Sequence, residues 1–225
     1  GSFGFARLLV QDGVTLNSRM TLLGAGGSEI RGQGGSHALG PDAVITGQSG
    51  SITGEWTSEA TIAMGDASTL VGRFDLNSTF AMGSRARVEV DAAGTSASQH
   101  DRIAGSGTIT LNGSLDVRFV DGYVPAPRDQ FEIISADTID GFFRETTIEP
   151  VGSIGPAHVV YTGDSVIVVI CAAARDADGE LTIFDFLAFQ NQFDAGDLRA
   201  DLDEDGSLTI FDFLVFQNRF DAGCG

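Results

Sequence analysis

The sequence predicts a mainly β body, a right-handed β-solenoid, followed by a small all-α domain at the C-terminal end. Three observations predict it. Residues 171–225 contain one loop-plus-helix unit written twice, at an offset of 27 residues. Residues 1–170 hold most of the 30 glycines and many short apolar alternations cut by turns, with almost no helical periodicity. Short motifs also recur inside that body, as stacked structural repeats require. The expected division is therefore a body over 1–170 and a helical domain over 171–225.

The chain opens Gly1-Ser2-Phe3-Gly4-Phe5-Ala6-Arg7, which does not read as a signal peptide. We read this start as lying inside a structural repeat, with Gly1-Ser2 a cloning remnant, and expect the C-terminal part of a longer secreted precursor. Val14-Thr15-Leu16, Met20-Thr21-Leu22, Ala43-Val44-Ile45-Thr46 and Gly50-Ser51-Ile52-Thr53-Gly54 read as short strands. Thr61-Ile62-Ala63-Met64-Gly65 returns as Thr79-Phe80-Ala81-Met82-Gly83, eighteen residues on. At that offset Trp56 aligns with Phe74, and Leu70 with Val88. Such spacing predicts stacked rungs over 1–90; a β-sandwich, whose strands also come at regular intervals, is the alternative.

From Ser84 the pattern lengthens. Arg87-Val88-Glu89-Val90-Asp91 alternates cleanly, and a polar loop leads to His100-Asp101-Arg102-Ile103. Gly107 to Val120, Gly122-Tyr123-Val124-Pro125, Asp129-Gln130-Phe131-Glu132-Ile133-Ile134 and Gly141-Phe142-Phe143 follow. This order resembles the C-terminal rungs of bacterial autotransporter-like passenger domains and their secreted β-helix relatives, over about residues 85–145. The resemblance implies a fold and no chemistry. His158 to Tyr161 and Ser165 to Ile170 read as closing strands, the last buried on both faces.

The duplicated unit carries the chemistry. Its second copy places Asp201, Asp203 and Asp205 at alternating positions, then Gly206, Ser207, Leu208, Thr209 and Asp212. That is the order of a calcium loop: oxygens at positions 1, 3, 5, 7, 9 and 12, with glycine at 6 for the turn. An acidic solvated turn is the bland alternative, but such a turn needs neither Gly206 nor Leu208. The first copy has Ala174 at position 1, with Asp176, Asp178, Glu180, Thr182 and Asp185 at the later ones. One charged ligand fewer predicts a weaker site.

After each loop, phenylalanines recur at helical spacing: Phe186, Phe189 and Phe193, then Phe213, Phe216 and Phe220. These two stripes are expected to pack on each other. Phe184 with Leu187, and Phe211 with Leu214, fall on another face, which meets either a partner or the preceding domain.

A pair of such repeats, with a cysteine before the first loop and Gly223-Cys224 after the second helix, resembles a dockerin domain of the variant ending in Gly-Cys, found on bacterial extracellular proteins. The resemblance covers 171–225. It implies EF-hand-like calcium ligands at Asp201, Asp203, Asp205, the Ser207 carbonyl, Thr209 and Asp212, and at Asp176, Asp178, the Glu180 carbonyl, Thr182 and Asp185. It also implies protein–protein docking onto a cohesin-like partner through Ile183, Phe184, Ile210 and Phe211 and the helices after them, with Leu187 and Leu214. These positions are apolar here, where the best-known dockerins carry hydroxyls. Cys171 and Cys224 bracket the unit and are the chain's two cysteines. In an oxidising compartment the natural reading is a disulfide; a free anchoring thiol at Cys224 is the alternative.

Composition bounds the rest. The 225 residues carry a net charge of −18, and every basic residue is arginine. The tail holds 12 acidic residues and 3 arginines. This balance argues against nucleic acid, because little is available to neutralise phosphate. No run approaches a membrane span. Glu55, Glu59, Asp66 and Asp75 lie near predicted turns, but solvated edges carry such residues equally well. Arg85 and Arg87 suit either an acidic glycan or a solvated face. His37, His100 and His158 are far apart in sequence, and Asp101 is read as a structural turn cap. Two functions are therefore expected. The first is a non-catalytic extracellular β-helix protein, attached through a calcium-dependent dockerin-like module to a cohesin-like or cell-surface partner. The second is a carbohydrate-active β-helix enzyme, of polysaccharide lyase or glycoside hydrolase type, with the tail for assembly.

Overall fold

Apolar residues at every second position make strands with one face to bury, and most of this chain is built that way. The computed structural model describes residues 6–224 apart from 23–27, 66–70, 150–156, 172, 177, 179 and 204. The protein is mainly β, with two helices at the C-terminal end. Two compact units divide it. One comprises Gly1–Tyr123, Phe131–Val151 and Tyr161–Val166; the other comprises Val124–Gln130, Gly152–Val160 and Ile167–Gly225. The second unit thus takes in segments well ahead of Cys171.

In the first unit the chain alternates between two sheets. The smaller orders its strands Glu145–Glu149, Ser114–Phe119, Arg87–Ala92, Thr61–Met64, Val44–Gly47 and Arg19–Leu22. The larger runs from Thr138–Gly141 through Thr108–Leu111 and Phe80–Met82 to Ser49–Ser58, then through Arg73–Asn77 to Arg102–Ser106. From Ala6–Gln11 to Glu145–Glu149 the pairings are parallel, so like faces stack. One column of neighbours is His37, Trp56, Phe80, Ile109 and Ile139. Another is Met20, Ile45, Ile62, Val88 and Leu115. From Ile45 to Leu115 the second column is fully buried, each residue covering the next.

The eighteen-residue motif does not mark this stacking. Ile62 belongs to the smaller sheet and Phe80 to the larger, so the two copies do not face each other. Trp56 lies beside Phe80, whereas Phe74 lies beside Gly50 and Ile103. The motif records a local shape, two apolar residues one apart and then a turn glycine, which strands of either sheet need. Leu70 lies outside the described residues.

Polar side chains lock the stack where it bends. Asp101 is buried, and its carboxylate accepts the Gly72 N–H at 2.6 Å and the Asp91 N–H at 2.8 Å. It therefore closes the loop between Asp91 and Asp101, the structural turn cap read from the sequence, and also holds Gly72 from another pass of the chain. His100 is also buried, with Nε2 3.2 Å from the Glu132 carbonyl. His37 sits 3.0 Å from the Val10 carbonyl and its ring lies 5.0 Å from that of Trp56.

In the second unit the chain runs on from Ile167 into helices α1 (Ile183–Asp194) and α2 (Ile210–Ala222). The two phenylalanine stripes form its core. Phe189 stacks on Phe216 at 4.4 Å with the rings nearly parallel, and Phe186 and Phe213 meet edge to face. Cys171 and Cys224 form a disulfide that packs with Val160, Val169 and Ala174. The free-thiol alternative is thereby set aside. Among the described residues, no helix is long and apolar enough to cross a membrane.

Two predictions come from this packing. One corner of the stack is formed by Gly54, Ser78 and Gly107, in register and with φ of 113°, 103° and 107°. Only Ser78 carries a Cβ into that left-handed region. Relief of its strain outweighs the added freedom of the unfolded chain, so Ser78→Gly is expected to stabilise the protein by about 1 kcal/mol in denaturant unfolding. A loss of stability would show that the serine hydroxyl matters more than its backbone. Reduction of the disulfide, whose cysteines are 53 residues apart, is expected to destabilise the helical unit by about 4 kcal/mol. Thermal unfolding with and without reductant measures it.

Candidate metal centre

The sequence Thr-Ile-Phe-Asp opens both helices, and its ends do the local work. Thr209 is the N-cap of α2: its hydroxyl accepts the Phe211 N–H at 3.1 Å. Asp212, three residues into the helix, reaches back to accept the Thr209 N–H at 2.8 Å. Its other oxygen accepts the Leu202 N–H at 2.6 Å and the Asp203 N–H at 3.3 Å. Asp212 is fully buried, which alone would raise its carboxyl. The backbone donors outweigh that and hold it below the usual carboxylate range.

The first copy repeats the arrangement. Thr182 caps α1 and accepts the Phe184 N–H, while Asp185 accepts the Thr182 N–H at 2.8 Å and the Arg175 N–H at 2.6 Å. The Thr-x-x-Asp spacing is a capping-box signature, which the ion-ligand reading of these residues leaves out.

With the helix start fixed, the second loop folds over its own carboxylates. Asp201 accepts the Gly206 N–H at 2.8 Å and the Asp205 N–H at 3.2 Å. Asp205 accepts the Ser207 N–H at 2.8 Å. Gly206 sits at φ 83°, the left-handed turn that position 6 requires. The result is convergence: Asp201, Asp203 and Asp205 each offer an oxygen within 4.8 Å of the others. Asp203 is held above its ordinary value, first by desolvation and then by the charges of Asp205, Asp212 and Asp201. Hard carboxylate oxygens that repel one another across so short a distance fit a hard cation well. Asp212 stands behind this trio, bound to the loop backbone.

The first loop is less complete. Asp176 accepts the Asp178 N–H, and Asp178 accepts the Glu180 N–H at 2.7 Å. Asp176 is raised by desolvation and by the charges of Asp185 and Asp178. Ala174, at the position of Asp201, is buried against the disulfide. Gly179 lies outside the described residues.

The flanking apolar positions are open to solvent in both copies. Ile183 and Phe184 are 61% and 63% exposed, and Ile210 and Phe211 are 62% and 61% exposed. Leu187 and Leu214 are exposed beside them.

A second polar cluster was not foreseen. Arg175 is buried, and its Nη1 donates to His158 Nε2 at 2.8 Å. Burial, then the charge of Arg219, pulls the guanidinium down to about 9. Burial and the charges of Arg175, Arg219 and Arg199 hold His158 well below its usual range. Nothing in the spacing of these residues announces their meeting. In the body, Glu59 accepts the Arg85 N–H, Asp75 pairs with Arg73, Arg87 pairs with Glu89 and Asp116, and Glu55 is exposed. Asp66 lies outside the described residues.

Comparison with protein-family models, with curated proteins and with solved structures finds no match.

His158 sets a pH dependence. The unfolded histidine takes a proton near its ordinary value of 6.5, and the folded one resists it to much lower pH. Its contribution to stability is therefore full above about pH 6.5 and declines as pH falls below that. His158→Gln is expected to flatten the pH–Tm profile between about 6.5 and 5, relative to the parent protein. An unchanged slope would place the acid sensitivity elsewhere.

Proposed function

We propose that residues 171–225 are a dockerin-like, calcium-folded docking module on a non-catalytic extracellular β-solenoid body. The observation that carries the reading is the convergence of Asp201, Asp203 and Asp205 at the foot of α2. The ion would be held by those three carboxylates, the Ser207 carbonyl, Thr209 and Asp212. The weaker site would use Asp176, Asp178, the Glu180 carbonyl, Thr182 and Asp185. Bound calcium supplies the positive charge that lets the carboxylates sit together. The chain's own residues do the rest: Thr209 and Asp212 set the helix start, and Gly206 turns the loop.

Ile183, Phe184 and Leu187, with their copies Ile210, Phe211 and Leu214, form the docking face for a cohesin-like or cell-surface partner. Their exposure in both copies supports this. The solenoid reading rests on parallel pairing between successive passes of the chain, which hairpin-built sandwiches do not produce. The disulfide, and the lack of a membrane-spanning helix among the described residues, suit a secreted protein at the bacterial cell surface. Glu59 and Asp75 are committed to a turn and an ion pair, which favours the non-catalytic body over a polysaccharide-cleaving one.

Calorimetric calcium titration of the full chain, with far-UV circular dichroism and a chelator control, tests the reading. One tight and one weaker site are expected. Asp203→Asn is expected to weaken the tight site by about tenfold or more. Absence of calcium uptake would overturn the module.

A further inference from the structure

The helical repeats hold three arginines against twelve acidic residues, yet all three arginines act on one point, His158. Arg175 is the enclosed one, with 3% of its surface exposed. Nη1 donates to His158 Nε2 at 2.8 Å and to the Arg199 carbonyl at 3.4 Å. Nε and Nη2 are buried and have no hydrogen-bond partner among the described residues. Those two nitrogens form one edge of the guanidinium, a fixed two-donor fork.

Among the described residues, no carboxylate bonds to that edge. His158 receives a hydrogen bond through Nε2, so the ring is neutral there and supplies no negative charge. Asp185 lies near, but its two oxygens accept the backbone N–H groups of Arg175 and Thr182. Asp197 pairs with Arg199. Among the described residues, no carboxylate forms an ion pair with Arg175. Arg219, whose charge also bears on Arg175, donates to the Leu202 carbonyl at 3.3 Å and adds to the local positive potential. A buried charge without counter-charge is among the costliest arrangements in a folded protein. Two donors on a fixed edge, in positive surroundings, define what relieves it: an acceptor that is negative and, given the enclosure of Arg175, small.

We propose that the Nε–Nη2 edge of Arg175 holds a small inorganic anion of chloride size, as a structural counter-ion of the helical unit. Arg175 lies within the first calcium loop, between Ala174 and Asp176, yet this site takes a ligand of opposite sign. The anion would offset the arginine cluster as a cation offsets the aspartate cluster.

The test uses the full chain at near-neutral pH, with calcium at the same concentration in every arm. Tm is measured as chloride or bromide replaces gluconate at constant ionic strength. A saturable rise is expected, about 3 °C at roughly ten times the dissociation constant. Arg175→Met should abolish the rise, and Arg73→Met, at an exposed ion pair, should keep it. Crystals soaked in bromide should show an anomalous peak against Nε and Nη2, a readout that stands even where Arg175→Met fails to fold. A halide-independent Tm in the parent protein, a retained rise in Arg175→Met, or the lack of a bromide peak at that edge would each overturn the proposal. Because calcium is constant throughout, a halide-dependent Tm reports the anion site alone, and the calcium titration reports the other.

Discussion

The helical unit depends on one buried carboxylate, used twice. Asp212 joins the last residue before its helix to the first turn of its loop, through three backbone N–H groups. Asp185 repeats the connection at Thr182 and Arg175. A carboxylate buried with such donors keeps its charge where an isolated one would not. Each helix therefore starts at a fixed residue. The fixed start aims one phenylalanine stripe inward and leaves the neighbouring apolar pair outside. The exposed face and the stacked Phe189–Phe216 core are two results of the same constraint.

The body follows a different rule. Its strands pair in parallel with strands from other passes of the chain, so each apolar residue is covered by one distant in sequence. Alternation along a strand shows which face is buried; it carries no information about which strand lies beside it. That is why the short strands and their turns were legible while the partner of Trp56 was not. Phe74 and Phe80 are equally good apolar residues, and only the length of the intervening turns decides between them. The glycine corners were legible as punctuation, but their alignment into one column became visible only in the fold.

The candidate metal centre was more open to reading, because a loop of alternating aspartates is local. Its oxygens converge through bonds among residues at most five apart. The same locality made Ala174 readable as a departure. What the sequence does not show is that Ala174 is useful where it stands: an apolar residue packs against the disulfide, where an aspartate would have to be desolvated. The Arg175–His158 cluster was illegible for the opposite reason. It joins a strand, a loop, a short turn and a helix, and no pattern in one sequence brings those four together.

The Cys171–Cys224 bond has a mechanical consequence. Everything between the two cysteines is a closed loop, so a pulling force that enters at one cysteine leaves through sulfur without crossing either helix. The 53-residue separation withholds roughly 180 Å of contour length from extension. Under tension between its ends, the helical unit behaves as a short covalent link.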